Sequence, residues 1–123
     1  MAKKILIIED EKVLADLLRK RLLMEGYDVT VSLDGKEGFE LLKKVKPDLL
    51  LLDIILPGID GFEIMEKMIK DKELSKIPII IVSNSGQPVE IGRAQKLGAK
   101  DWLIKAEFDP QEVIDKVLKQ IGK

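Results

Sequence analysis

The sequence contains neither cysteine nor histidine. Without cysteine there is no disulfide framework, thiol nucleophile or thiolate zinc site. Without histidine there is no Ser-His-Asp triad, no imidazole that changes charge near neutral pH and no residue able to carry phosphate as phosphohistidine. Excess positive charge is also lacking. Lys plus Arg number 21 against 22 for Asp plus Glu, a formal charge of −1. That balance gives no sign of a nucleic-acid or anionic-membrane binder, whose phosphate contacts require surplus Lys and Arg. Long apolar runs are missing too: Ile5–Ile8 stops at Glu9, and the run around Leu49–Leu56 is split by Asp53. Neither suits a signal-peptide core or a bilayer span, so a soluble cytoplasmic protein is expected. Any chemistry falls to carboxylates, lysines, hydroxyls, backbone groups and a borrowed ion.

What the chain does have is a repeated switch between two apolar periods. Strand-like runs lie at 3–8, 28–32, 48–53, 78–83 and 101–105. Three of them are almost continuously Ile or Leu, as expected of strands covered on both faces. Helical stripes alternate with them: Val13, Leu14, Leu17, Leu18 and Leu22, then finally Val113, Ile114, Val117, Leu118 and Ile121. Asp34-x-x-Glu37, Asp60-x-x-Glu63 and Asp109-x-x-Glu112 read as capping boxes, Pro88 and Pro110 as first helical residues, and Gly26, Gly98 and Gly122 as helix stops. Five βα units without a linker predict one α/β domain with a parallel sheet over residues 1–123. The last stripe runs almost to Lys123, so no output domain is expected.

Ligands of an open parallel sheet bind beyond the carboxyl ends of its strands. Those ends deliver Glu9, Asp10 and Glu11 from the first strand, Asp53 from the third, Ser83 and Asn84 from the fourth, and Lys105 from the fifth. Taken singly each has an ordinary explanation. Asp10 precedes a helical stripe and reads as its cap, Asp53 as a strand-end carboxylate bonded to loop amides, and Lys105 as one more solvated lysine. Jointly they say more. If the first and third strands are neighbours, their carboxylates face one another at a few ångströms, and such a group raises its own pKa values or requires a cation. Mg²⁺ fits, since it takes oxygen ligands and works with one or two carboxylates plus phosphate oxygens. Asp53 is then the natural nucleophile for a phosphoryl group, with Lys105 and the Ser83 hydroxyl holding the other phosphoryl oxygens.

The segments ILIIEDE, LLLLDIILPGIDG, IIIVSNSG and GAKDWLIK together resemble the receiver domain of two-component response regulators across essentially the whole chain. The resemblance implies a doubly wound, flavodoxin-like sheet of order 2-1-3-4-5 with helices on both faces. It implies phosphorylation of Asp53 by a sensor histidine kinase or histidine phosphotransfer protein. Mg²⁺ would sit on Glu9, Asp10, Asp53 and the Ile55 backbone carbonyl. Ser83 matches the switch hydroxyl and Trp102 the switch aromatic, acting on a surface of the fourth helix, fifth strand and fifth helix that an unidentified downstream protein reads. The chemistry would be limited to the domain's own phosphorylation and dephosphorylation, making it a switch rather than an enzyme. A monomer or a phosphorylation-dependent dimer is implied. Three positions depart from the family pattern: Ala106 replaces the usual proline after the lysine, Ser83 the commoner threonine, and Glu9 the commoner aspartate. Ile55 and Ser85, two residues past Asp53 and Ser83, flank the path of the hydrolysing water in the family. Isoleucine offers that water no hydrogen bond, so a long-lived phosphoryl group is expected.

Other readings fit less well. A flavin-nucleotide binder needs a Gly/Ser/Thr-rich loop after the first strand, and Glu9-Asp10-Glu11 repels phosphate. A metal-dependent phosphatase of the Asp-x-Asp kind is not supplied by Asp53-Ile54-Ile55, and a nuclease wants a basic face. A receiver-fold interaction module that is never phosphorylated is the remaining alternative, supported chiefly by Ala106.

Overall fold

In the computed structural model, which describes residues 2–107 and 109–123, five strands alternate with five helices. They run β1 (Lys4–Ile8), α1 (Lys12–Met24), β2 (Asp28–Ser32), α2 (Gly35–Val45), β3 (Leu49–Leu52), α3 (Gly61–Ile69), β4 (Ile79–Ser83), α4 (Pro88–Lys96), β5 (Ala99–Ile104) and α5 (Pro110–Ile121). All strand pairs are parallel, in the order β2-β1-β3-β4-β5. This is the doubly wound, flavodoxin-like arrangement expected from the sequence.

Strand alternation sorts the core into two layers. Ile5, Ile7, Leu49, Leu51, Ile80, Val82 and Leu103 pack with Leu18 and Leu22 of α1 and with Val113, Ile114 and Val117 of α5. Leu6, Ile8, Leu50, Leu52, Ile79 and Ile81 pack instead with Leu42 of α2, Phe62, Ile64, Met65 and Met68 of α3 and Ala94 of α4. β1, β3 and β4 are therefore sandwiched between α1/α5 and α2/α3/α4, which is why their sequences are apolar without alternation.

The local signals behave largely as read. Asp34, Asp60 and Asp109 each accept a hydrogen bond from the backbone N–H three residues on, and Pro88 and Pro110 open α4 and α5. Gly26, Gly98 and Gly122 take positive φ just after helices end. Three details differ. A 3-10 turn at Leu74–Lys76 interrupts the α3–β4 connection. The stripe on α1 is narrower than its apolar residues suggest: Ala15, Leu18 and Leu22 are buried, while Val13 is 85% exposed and Leu17 half exposed, because they lie one line round the helix from the packed face. β5 begins two residues earlier than the apolar run, at Ala99, and a register shift against β4 separates the pairs Ile79–Ala99 and Ile80–Asp101.

Candidate functional site

Three of the site residues stand one position beyond a strand end, and each is fixed by one more backbone bond of the ladder. The Glu9 N–H donates to the Ser32 carbonyl (3.0 Å), Asp53 N–H to Ile8 (3.0 Å) and Lys105 N–H to Ser83 (2.8 Å). Glu9, Asp53 and Lys105 continue the alternation of Ile5/Ile7, Leu49/Leu51 and Leu103, so their side chains leave the sheet on the same side. Because β1 and β3 are hydrogen-bonded neighbours, the two carboxylates converge.

They converge on Lys105. Its ammonium lies 2.8 Å from Asp53 Oδ2, 2.6 Å from Glu11 Oε2, and 2.8 and 2.9 Å from the two oxygens of Glu9. Glu9 Oε2 also accepts from the Glu11 N–H, whereas its buried Oε1 sits beside the ammonium without a directed donor. Asp53 Oδ1 accepts from the Ile54 N–H at 2.7 Å. The Lys105 side chain is only 8% exposed, so it is no solvated lysine. Asp10, exposed, completes the group: carboxylate oxygens of Glu9, Asp10 and Asp53 lie within 4.8 Å of one another. Asp10 does not cap α1, as it would if its role were only local; the cap position is Glu11, whose side chain makes no capping bond.

The electrostatics follow from burial. Burial pushes the Glu9 carboxyl up to about 7, against the pull of Lys105 and the Glu11 amide, with the Asp53 charge adding to the rise. Burial likewise raises Asp53 in spite of Lys105 and the Ile54 amide, and Asp10 adds to that rise. Burial works against the charged form of Lys105, but its hydrogen bonds to Asp53, Glu11 and Glu9 outweigh this and hold the ammonium above the ordinary lysine value. Three carboxylates thus share one ammonium, with the Asp10 carboxylate beside two of them. An all-oxygen donor set of three clustered carboxylates, with a buried oxygen lacking a donor, suits a hard divalent cation.

Ser83 and Trp102 lie apart from this knot. The Ser83 hydroxyl accepts from the Ser85 N–H (3.2 Å) and, among the described residues, makes no hydrogen bond to Asp53 or Lys105. Trp102 pairs with Ile81 in the sheet and sits half-buried on the α3/α4 side, where its indole N–H donates to the Ser85 carbonyl at 2.7 Å. Ser85 thereby joins the two, and its own hydroxyl donates to Glu90 of α4 (2.5 Å). Ile55 follows Asp53 by two residues with its side chain 74% exposed. Every described peptide bond, Lys105–Ala106 included, is trans.

Two contributors escaped sequence reasoning. Glu11 was visible as part of an acidic triplet, but its bond to Lys105 was not; the available signal was that glutamate is a poor helix cap. Gly61, at the start of α3, lets that helix abut Asp53: a Cβ there would stand 2.4 Å from the Asp53 carbonyl oxygen.

A buried aspartate flanked by acidic groups and a lysine at the carboxyl edge of a 2-1-3-4-5 sheet defines a doubly wound α/β domain with a compact acidic site at its strand ends. Comparison makes the class specific: residues 5–118 match the response regulator receiver domain family, to which this chain belongs. A CheY-like response regulator receiver domain protein from Methanospirillum hungatei is 26% identical, with 98% of this chain and 94% of that one covered and a TM-score of 0.90. The signal receiver domain of a signal transduction histidine kinase from Syntrophus aciditrophicus is 27% identical, with 98% and 90% covered and a TM-score of 0.87. The receiver domain of a sensor histidine kinase from Pseudomonas aeruginosa, solved with magnesium coordinated in its active-site cleft, shares the fold at 24% identity, both chains fully covered, TM-score 0.87. The chain is thus a receiver domain of two-component signalling. Among the described residues no helix is long and apolar enough to cross a membrane.

Proposed function

We propose that this receiver domain is a switch that takes a phosphoryl group onto Asp53 from a phosphohistidine of a sensor histidine kinase or histidine phosphotransfer protein. The observation that carries the reading is the convergence of Asp53, Glu9 and Lys105, with Asp10 alongside. In the transfer an Asp53 carboxylate oxygen attacks phosphorus, the P–N bond to the partner's imidazole breaks, and the imidazole leaves with its electron pair and takes up a proton. The product is an acyl phosphate; water later attacks its phosphorus, releasing phosphate and returning the carboxylate. This sequence has no histidine, so the donor histidine lies outside it.

Glu9, Asp10, Asp53 and the Ile55 carbonyl would hold Mg²⁺, which when bound neutralises these carboxylates and the charge on the phosphoryl oxygens. Lys105 supplies the ammonium that pairs with a phosphoryl oxygen once its carboxylate partners are otherwise satisfied. Ser83 reaches the phosphoryl group by giving up its bond from the Ser85 N–H, and Ser85 carries that change to Trp102 through the indole bond. The surface thereby biased comprises α4, β5 and α5. It includes the groove beside Trp102 lined by Ile91, Ala94, Ala99 and Asp101, where a downstream protein would bind. The domain alters only its own phosphorylation state, and it resides in the cytoplasm with its kinase.

Trp102 fluorescence tests the reading. Mg²⁺ followed by beryllium fluoride, a phosphoryl mimic, is expected to change the emission of the wild type and leave Asp53→Asn unchanged. An unresponsive wild type would favour an interaction module that is never phosphorylated.

A further inference from the structure

The Glu11 side chain is spent in an unusual way. Its backbone is extended (φ −82°, ψ 99°) at the cap position of α1, where a side-chain oxygen ordinarily accepts from the N–H groups of the first turn. It makes no such bond. Its carboxylate instead crosses the mouth of the site to Lys105, 94 positions away in sequence, at 2.6 Å, with the side chain still 54% exposed. An ammonium has three N–H donors. Those of Lys105 are all taken, by Glu9, Glu11 and Asp53, leaving none for a phosphoryl oxygen. Glu9 and Asp53 belong to the carboxylate cluster suited to a cation, and binding one there would relieve them of the ammonium. Glu11 lies outside that cluster and would keep its hold.

We propose that Glu11 is a positioning residue that acts through Lys105. It tethers the ammonium at the mouth of the site and must release it before Lys105 pairs with the incoming phosphoryl group, so it slows phosphorylation. This rests on the phosphoacceptor reading of Asp53. Two substitutions separate the tether from simple charge repulsion. Glu11→Gln removes the charge. Glu11→Asp keeps the charge but shortens the arm by one methylene and places a favoured capping residue at the start of α1.

The test measures the rate of phosphorylation by a small acyl phosphate with Mg²⁺, by intact mass and Trp102 fluorescence across donor concentrations, alongside the melting temperature without donor. Both variants are expected to react about threefold faster than wild type at saturating donor, the scale of an exposed ion pair. Glu11→Asp is also expected to melt higher than wild type, because its carboxylate turns back to cap α1. If only Glu11→Gln is faster, and through a lower half-saturating donor concentration, repulsion of the anionic donor explains the effect and the tether is refuted. If wild type is phosphorylated and both variants match it, the role of Glu11 is refuted while the acceptor reading stands. A wild type that takes no phosphoryl group overturns the acceptor reading and this inference with it.

Discussion

Replacing Lys105 by methionine removes the one ammonium at the site while keeping most of the length and apolar bulk of the side chain. Two of its partners, Glu9 and Asp53, have side chains only 3% and 6% exposed, whereas Glu11 is more than half exposed. The Glu11 pair contributes about 1 kcal/mol at most. Stripping the cation from a buried pair costs about 3–5 kcal/mol, because the remaining charge is left without compensation. The carboxylates have an escape: they protonate, and Glu9 already titrates at about 7 with Lys105 present. The low end, about 3 kcal/mol or roughly 10 °C in melting temperature, is therefore expected near pH 8 in chelator.

The pH dependence has a definite sign. The raised pKa of Lys105 keeps its own stabilisation constant well below 10.5, so it adds no slope near neutrality. Glu9 and Asp53 are raised above their unfolded values, so the native state holds protons that the unfolded chain releases, and stability falls as pH rises through their folded values. Without Lys105 both are raised further and the fall steepens. The deficit of Lys105→Met should therefore be smaller near pH 5, where Glu9, its carboxyl pushed up to about 7, is neutral. Urea melts of both proteins at the two pH values measure this. A variant as stable as wild type near pH 8, or equally impaired at both, would refute the picture of buried carboxylates held by one ammonium.

Gly61→Ala forces a methyl group against the Asp53 carbonyl and should cost about 1–3 kcal/mol, read in urea melts, while also slowing phosphorylation of the displaced Asp53. Ile55→Asn places a hydrogen-bonding side chain where an exposed isoleucine stands two residues from Asp53, and should shorten the phosphoryl lifetime several-fold; an unchanged decay of phosphoprotein would count against that role.

Much of this architecture is legible in the sequence because one-dimensional patterns encode it. The uninterrupted Ile and Leu runs of β1, β3 and β4 announce strands covered on both faces, and the three Asp-x-x-Glu starts announce helices. Glu9, Asp10, Asp53 and Lys105 are legible as strand-end residues once β1 and β3 are taken as neighbours. Illegible were properties of three-dimensional placement. Which line of α1 packs inward depends on how the helix is set on the sheet, so Val13 and Leu17 belong to the apolar stripe of the sequence yet stay exposed. That Lys105 is saturated by three carboxylates, and that Ser85 rather than Ser83 touches Trp102, depends on side-chain reach, which spacing does not contain.

Asp53 is the proposed phosphoacceptor, and locating the phosphoryl group on the chain tests that assignment. Protein incubated with a small acyl phosphate and Mg²⁺ is reduced with borohydride, which cleaves an aspartyl phosphate to homoserine, and then digested and sequenced by mass spectrometry. Homoserine at position 53 in the wild type, lost when Mg²⁺ is withheld and absent from Asp53→Asn, is the predicted result. No trapped residue in the wild type, or one at another carboxylate, would contradict the account.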